Sequence, residues 1–289
     1  NPHNIHEWAM EGALPEGDLP EPPAPPHLPP LPPNFRPSPS EPSVLEGIRQ
    51  FLQKGVRRGP EDWQRYRWAY NRLVEKVDAQ IGEVLDSLEA NGLTDDTLVI
   101  FSSDHGDGQG AHELPFKSTF YDESCRVPLI LAGPGTGRPG SVRSRPSAAC
   151  INIYATILAA AGVPAEAPGI ARGHDLRAPE DGVGVDSRAV VSMIRNPYGG
   201  TQGRMVRTER YKYIAYQNGL HREQIYDMGT DPGEQVNLAE CARFADTRLA
   251  HREILRRWCQ ATNDRFGGGH YVHPEVPFML PGDSYERAS

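Results

Sequence analysis

The chain has 289 residues, a formal net charge of −8 and 38% apolar residues. That length holds one large domain or a large and a small one, and the acidic balance argues against nonspecific binding to nucleic acid or to anionic membranes. No stretch reaches the apolar length of a transmembrane helix, the first residues carry no signal-peptide pattern, and four widely spaced cysteines fit no zinc motif.

Many of the 28 prolines lie between Pro15 and Pro42. From Glu11 to Pro42 the chain predicts an extended, partly polyproline II segment without helix. It reads as a surface linker or as a wall beside a substrate, with His27 and Phe35 within reach of a site. Asp62 to Ala90 gives the clearest helix, with Tyr66, Tyr70, Leu73, Val77, Ile81, Leu85 and Leu88 at spacings of three and four, closed by Asn91-Gly92.

That helix leads into Leu98, Val99, Ile100 and Phe101, the short continuous apolar run of a buried parallel strand. Asp104 and His105 stand just past its carboxyl end, where α/β sheets keep their ligands. Gly106, Gly108 and Gly110 follow with Asp107 among them, then His112, then Lys117 thirteen positions after Asp104. A loop this permissive can fold back and bring metal ligands and a lysine toward one anion. Asp-His-Gly by itself is also an ordinary turn; the lysine and second histidine in so short a span favour a site.

Val127 to Ala132 predicts a second buried strand, broken by Gly133-Pro134-Gly135, and Ala148 to Ala161 a helix packed closely on a sheet. This order implies parallel winding. From about Arg188 the character changes: Val190 to Ile194, Arg204 to Arg207, Lys212 to Tyr216 and Gln224 to Tyr226 predict short antiparallel strands. A helix from Ala239 to Thr262 follows, and the tail after Gly267 is irregular, with His270 and His273. The fold class expected is α/β, a mostly parallel sheet flanked by helices over residues 1–185, with a smaller antiparallel sheet and helix over residues 186–289.

The run SDHGDGQGAHELPFKSTFYDESCRVPLILAGPG resembles the metal-loop block of the sulfatase family, within the alkaline phosphatase superfamily. RMVRTERYKYIAYQ followed by QIYDMGTDPGEQVNLA resembles its carboxyl-terminal signature, and Asn1-Pro2-His3 its Pro-His segment. The resemblance implies an alkaline phosphatase-like fold, Asp104 and His105 as calcium ligands, and Lys117 as the sulfate contact. It also implies His3 as proton donor to the leaving alcohol. His112 reads as a further substrate contact or as a merely solvated loop histidine. Asp107 and Glu113 read as loop-stabilising or exposed. Imidazole is an unusual calcium partner, so another divalent metal is also open.

The family's Cys/Ser-x-Pro-x-Arg motif, source of its formylglycine nucleophile, is missing. Cys125, Cys150, Cys241 and Cys259 all lack a proline two residues later, and Ser144-Arg145-Pro146-Ser147-Ala148 has Ala148 where arginine is needed. The family's early paired aspartates are missing too. The expectation is the later part of a longer sulfuric ester hydrolase, acting on a sulfate ester, whose absent amino-terminal part would cover apolar sheet surface. Two alternatives stand beside it: a phosphodiester or phosphonate monoester hydrolase, and a noncatalytic fragment.

Overall fold

The computed structural model describes residues 22–24, 26–53, 58–143, 149–163, 173–178, 189–195, 202–217 and 219–266. Its elements are α1 (Ser43–Leu52), α2 (Pro60–Ala90), β1 (Val99–Ser102), β2 (Leu129–Ala132), α3 (Ala149–Ala160), β3 (Val190–Arg195), β4 (Gln202–Arg207), β5 (Tyr211–Tyr216), β6 (Glu223–Asp227) and α4 (Ala245–Thr262).

The firmest part is the four-stranded antiparallel sheet, ordered β3-β4-β5-β6. Successive residues of β5 point to opposite faces, and both faces are covered. Ile214 and Tyr216, with Met205 and Tyr226, pack beneath Leu45, Ile48 and Leu52 of α1 and beneath Leu114, Phe120 and Tyr121. Tyr213 and Ala215, with Val206 and Ile225, pack beneath Leu255 and Cys259 of α4 and Phe266. Two-sided cover explains why YKYIAY reads as a nearly continuous apolar run.

Helix α2 starts two residues before the expected Asp62. Pro60 occupies its first turn, and the Asp62 carboxylate accepts a hydrogen bond from Gly59 N at 2.9 Å. Its apolar stripe is buried only near its start, where Trp63, Tyr66, Trp68 and Ala69 meet Leu28, with Leu31 and Phe35 alongside. From Leu28 to Phe35 the proline segment is therefore a packed wall rather than a linker. Asn34 and Phe35 also accept backbone hydrogen bonds from His112 and Glu113, both at 2.8 Å. Helix α4 begins at Ala245 instead of Ala239. Asn237 Oδ1 takes the N–H groups of both Ile225 and Ala239, which holds this stretch against β6.

The expected parallel sheet is not what β1 and β2 form. They pair antiparallel, Val99 opposite Ala132 and Ser102 opposite Leu129, and no parallel pair occurs among the described residues. A parallel return needs a crossover of a dozen or more residues, usually a helix. Between β1 and β2 the chain forms only a 3₁₀ turn at Ala111–Glu113 and one helical turn at Asp122–Cys125.

Truncation in the two-sided core and on the open part of α2 should separate sharply. Leu255→Ala is expected to lower stability by about 2–5 kcal/mol. Val84→Ala, at a side chain 61% exposed, should stay within about 0.5 kcal/mol. Urea unfolding midpoints of the two variants check this.

Candidate functional site

Past the end of β1, the loop is set by its own short side chains. Ser103 Oγ donates to the carbonyl of His105 at 2.7 Å, and His105 N donates to Asp104 Oδ1 at 3.0 Å. His105 Nδ1 lies 2.8 Å from the carbonyl of Gly106, which can only accept, so Nδ1 carries the proton and Nε2 presents a lone pair. Lys117 Nζ donates to that Nε2 at 2.7 Å, and Asp104 Oδ2 lies 3.4 Å from it. Carboxylate, imidazole and ammonium thus converge on one spot. The Asp104 side chain is 83% exposed and that of His105 29%, so the cluster opens outward.

Close approach of backbone to backbone explains the glycines here. A Cβ on Gly106 would sit 1.9 Å from the carbonyl oxygen of Glu123, and one on Gly108 2.4 Å from that of Leu114. Gly106 N donates to Ser124 O at 2.9 Å. Gln109, His112, Glu113, Phe116 and Ser118 all adopt positive φ, at roughly 1–2 kcal/mol each for a side-chain-bearing residue. Fixed ties hold this strain in place. Asp107, buried, accepts from Tyr66 OH at 2.7 Å and Gln109 N at 2.8 Å; burial raises its carboxyl above the usual range.

His112, expected at the substrate, has a ring with no exposed surface. It stacks on Tyr121 at 3.7 Å between centroids and 5° between planes, with Asn34 Nδ2 3.4 Å from Nε2 and Gln235 Nε2 3.3 Å from Nδ1. Burial, then the charges of Arg49 and Lys212, push its pKa down to about 3, so it packs as a neutral ring. Glu113 is buried as well. His3, His270 and His273 lie outside the described residues.

Sequence reasoning missed the group that fixes the loop from behind. Lys212 projects from β5 into the protein with its side chain 1% exposed. Its ammonium donates to the carbonyl of Phe120 at 3.0 Å, pairs with Asp122, and meets Glu234 at 2.9 Å. Glu234 also accepts from Asp122 N at 2.6 Å. Burial opposes the charge of Lys212, and Glu234 and Asp122 more than offset that, holding it above its ordinary value. The turn gripped in this way, Asp122–Cys125, is the one whose Ser124 carbonyl receives Gly106 N, next to His105. The signal was a lysine within YKYIAY at the parity of Ile214 and Tyr216.

The sulfatase family model matches residues 26–163, and that of the N-sulphoglucosamine sulphohydrolase carboxyl-terminal region matches residues 110–260. The Delta 4,5-hexuronate-2-O-sulfatase of Bacteroides thetaiotaomicron is 32% identical over 279 residues, covering 92% of this chain and 56% of that protein. A solved 2-O GAG sulfatase superposes with a TM-score of 0.80 at 30% identity, over 92% of this chain and 58% of its own. The phosphonate monoester hydrolase of Agrobacterium radiobacter superposes at 0.61 with 27% identity, over 72% and 44%. The chain spans about half the length of the curated relatives it matches.

Lys212→Met leaves the buried carboxylate of Glu234 and the partly buried one of Asp122 without their cation and should destabilise by about 3–5 kcal/mol in urea unfolding. Combining it with Glu234→Leu should recover part of that loss. The neutral His112 predicts acid sensitivity. The unfolded chain takes up a proton near pH 6.5, whereas the folded ring resists until about pH 3. Its contribution is therefore complete above that unfolded value and lost as pH falls through the window, by up to about 1.4 kcal/mol per pH unit. The stability difference between wild type and His112→Gln should narrow accordingly across a pH series of unfolding curves.

Proposed function

The chain belongs to the sulfatase family, with its alkaline phosphatase-like α/β fold, and from that premise we propose that the whole protein is a sulfuric ester hydrolase. The observation that carries this reading is the convergence of Asp104, His105 and Lys117 at the mouth of the loop after β1. A sulfate ester is already ionised, and its oxygens gain charge as the ester bond breaks. Lys117, an ammonium held at an exposed site, is suited to grip one of those oxygens and offset that charge. His3 is the candidate for delivering a proton to the leaving alcohol.

The donor set fits a divalent ion once Lys117 turns from His105 to the sulfate: one outward-facing carboxylate and one imidazole whose Nε2 carries no proton. Asp104 and His105 would hold it, and bound calcium would supply positive charge at the sulfate oxygens. Calcium takes six to eight oxygen ligands. Most of the set would come from other groups, since no cluster of three or more His, Cys, Asp or Glu occurs among the described residues. The formylglycine nucleophile and the further ligands would belong to the part of the relatives' length that this chain does not span. The exposed apolar residues of α2, β2 and α3, among them Val84, Ile130, Tyr154 and Ile157, are where that part would pack.

A phosphonate monoester hydrolase is the second reading, favoured by the structural likeness to such an enzyme. Turnover of an aryl sulfate against an aryl phosphonate monoester and an aryl phosphodiester decides between them. On the sulfatase reading, Lys117→Ala should lower kcat for the aryl sulfate by about 10²–10³-fold while calcium binding, followed by calorimetry, persists. Chelation should abolish turnover and calcium restore it. Unchanged turnover in Lys117→Ala would remove the lysine from the mechanism.

A further inference from the structure

A cleft of about 400 Å³ opens between the proline segment, the start of α2, the loop beyond His105 and the Pro232–Gly233 turn. Asp104, His105 and Lys117 do not line it. Its polar lining is Asn34, Arg67, Asp107, Gln109 and Glu123. Asp107 is already engaged by Tyr66 and Gln109 N. The other four have hydrogen-bonding capacity to spare.

Among the described residues Arg67 makes one hydrogen bond, from Nη1 to the carbonyl of Gln109 at 3.3 Å, and its buried Nε has no partner there. Burial depresses its guanidinium, and among the described residues no carboxylate pairs with it. Glu123 Oε1 accepts from Asn34 Nδ2 at 2.8 Å, whereas its buried Oε2 has no hydrogen-bond partner among the described residues. Gln109 is held at φ 46°, its carbonyl taken by Arg67, and its side-chain amide makes no hydrogen bond among the described residues.

A half-buried guanidinium without a counter-ion calls for an anion. The unmatched carboxylate oxygen in the same cleft disfavours a bare anion and calls for a donor. The Gln109 side chain adds a donor and an acceptor, and Asn34, whose Nδ2 is taken by Glu123 and the carbonyl of Gly233, adds its Oδ1 as an acceptor, groups of the kind that hydroxyls satisfy. The volume is in the range of small-molecule sites. We propose that this cleft binds an anionic sugar unit, its acid group on Arg67 and its hydroxyls on Glu123, Asn34 and Gln109. This binding requires neither metal nor nucleophile, so it stands or falls separately from the hydrolytic reading.

Calorimetric titration of the full chain with glucuronate, glucose 6-sulfate, glucose, acetate and glycine tests it. At least one of the two acid sugars should bind, and the tighter one names the acid group. Glucose, acetate and glycine should each bind at least about tenfold more weakly, the loss of one charge-assisted contact. Arg67→Gln should weaken acid-sugar binding by about tenfold and Glu123→Gln by a few-fold, the second variant carrying the test if the first fails to fold. The proposal is overturned if neither acid sugar binds, if acetate or glycine binds as tightly as they do, or if folded Arg67→Gln binds them unchanged.

Discussion

The ammonium of Lys212, sealed between Asp122 and Glu234, is the interaction on which the arrangement of this protein depends. Lys212 and Glu234 leave water together there and Asp122 does so in part, and the desolvation cost is repaid only if each is bonded. Lys212 directs its ammonium to two carboxylates and a carbonyl, and Glu234 takes a backbone N–H besides. Two acids share one base, so negative charge is in excess. Burial accordingly pushes the Glu234 carboxyl up to about 7, against the pull of Lys212. The mechanical consequence runs outward. β5 is rigid because both of its faces are covered; Lys212 ties that rigidity to the turn at Asp122; and the turn takes Gly106 so closely that no side chain fits there. The carboxyl-terminal sheet is therefore the anvil against which the loop bearing Asp104 and His105 is set.

A second seam joins segments far apart in sequence, and it is polar where the sheet cores are apolar. Asn34, His112 and Gln235 meet around one neutral ring, while Arg49 donates to the carbonyl of His112 at 3.1 Å and Gln53 to that of Glu113 at 2.8 Å. A neutral imidazole offers one donor and one acceptor, so only one of the two amide nitrogens that face it can donate to the ring. Such a seam specifies position rather than adding large net stability. It accounts for how so many residues of one loop tolerate left-handed backbone: the proline segment, α1 and the turn after Pro232 over-determine it.

What was legible in the sequence follows the range of the forces involved. The helix after Pro60 declared itself through spacing and its Asn-Gly end, and the carboxyl-terminal strands through their length and the turns between them. The outward cluster could be located because Asp104, His105 and Lys117 are close in sequence and separated by glycine. Pairing direction was not legible, since Leu98 to Phe101 and Val127 to Ala132 look the same whichever way they run. Neither was the burial of His112. A histidine after Gly110 reads as solvated until Tyr121, Asn34 and Gln235 close over it, and those come from three other segments. Lys212 was hidden for the same reason, its partners lying about 90 residues upstream and 22 downstream.

The contrast between the two ends of the molecule carries the last step. In β4, β5 and β6 the central apolar side chains are buried, yet Val77, Val84 and Leu85 of α2, Ile130 of β2 and Ile151 and Ile157 of α3 are all more than two-fifths exposed. Scattered apolar residues on a surface need no explanation; three elements contributing them together do. A helix of 31 residues with its second half unburied gains little from tertiary packing, which is the usual source of helix stability. The same elements bring β1 to the site. The loop is thus held firmly from its carboxyl-terminal side by the Lys212 clamp, whereas the strand that delivers Asp104 is packed on fewer sides. Any chain segment that buried α2 and β2 would stiffen the approach to Asp104 and raise the stability of that half in one act.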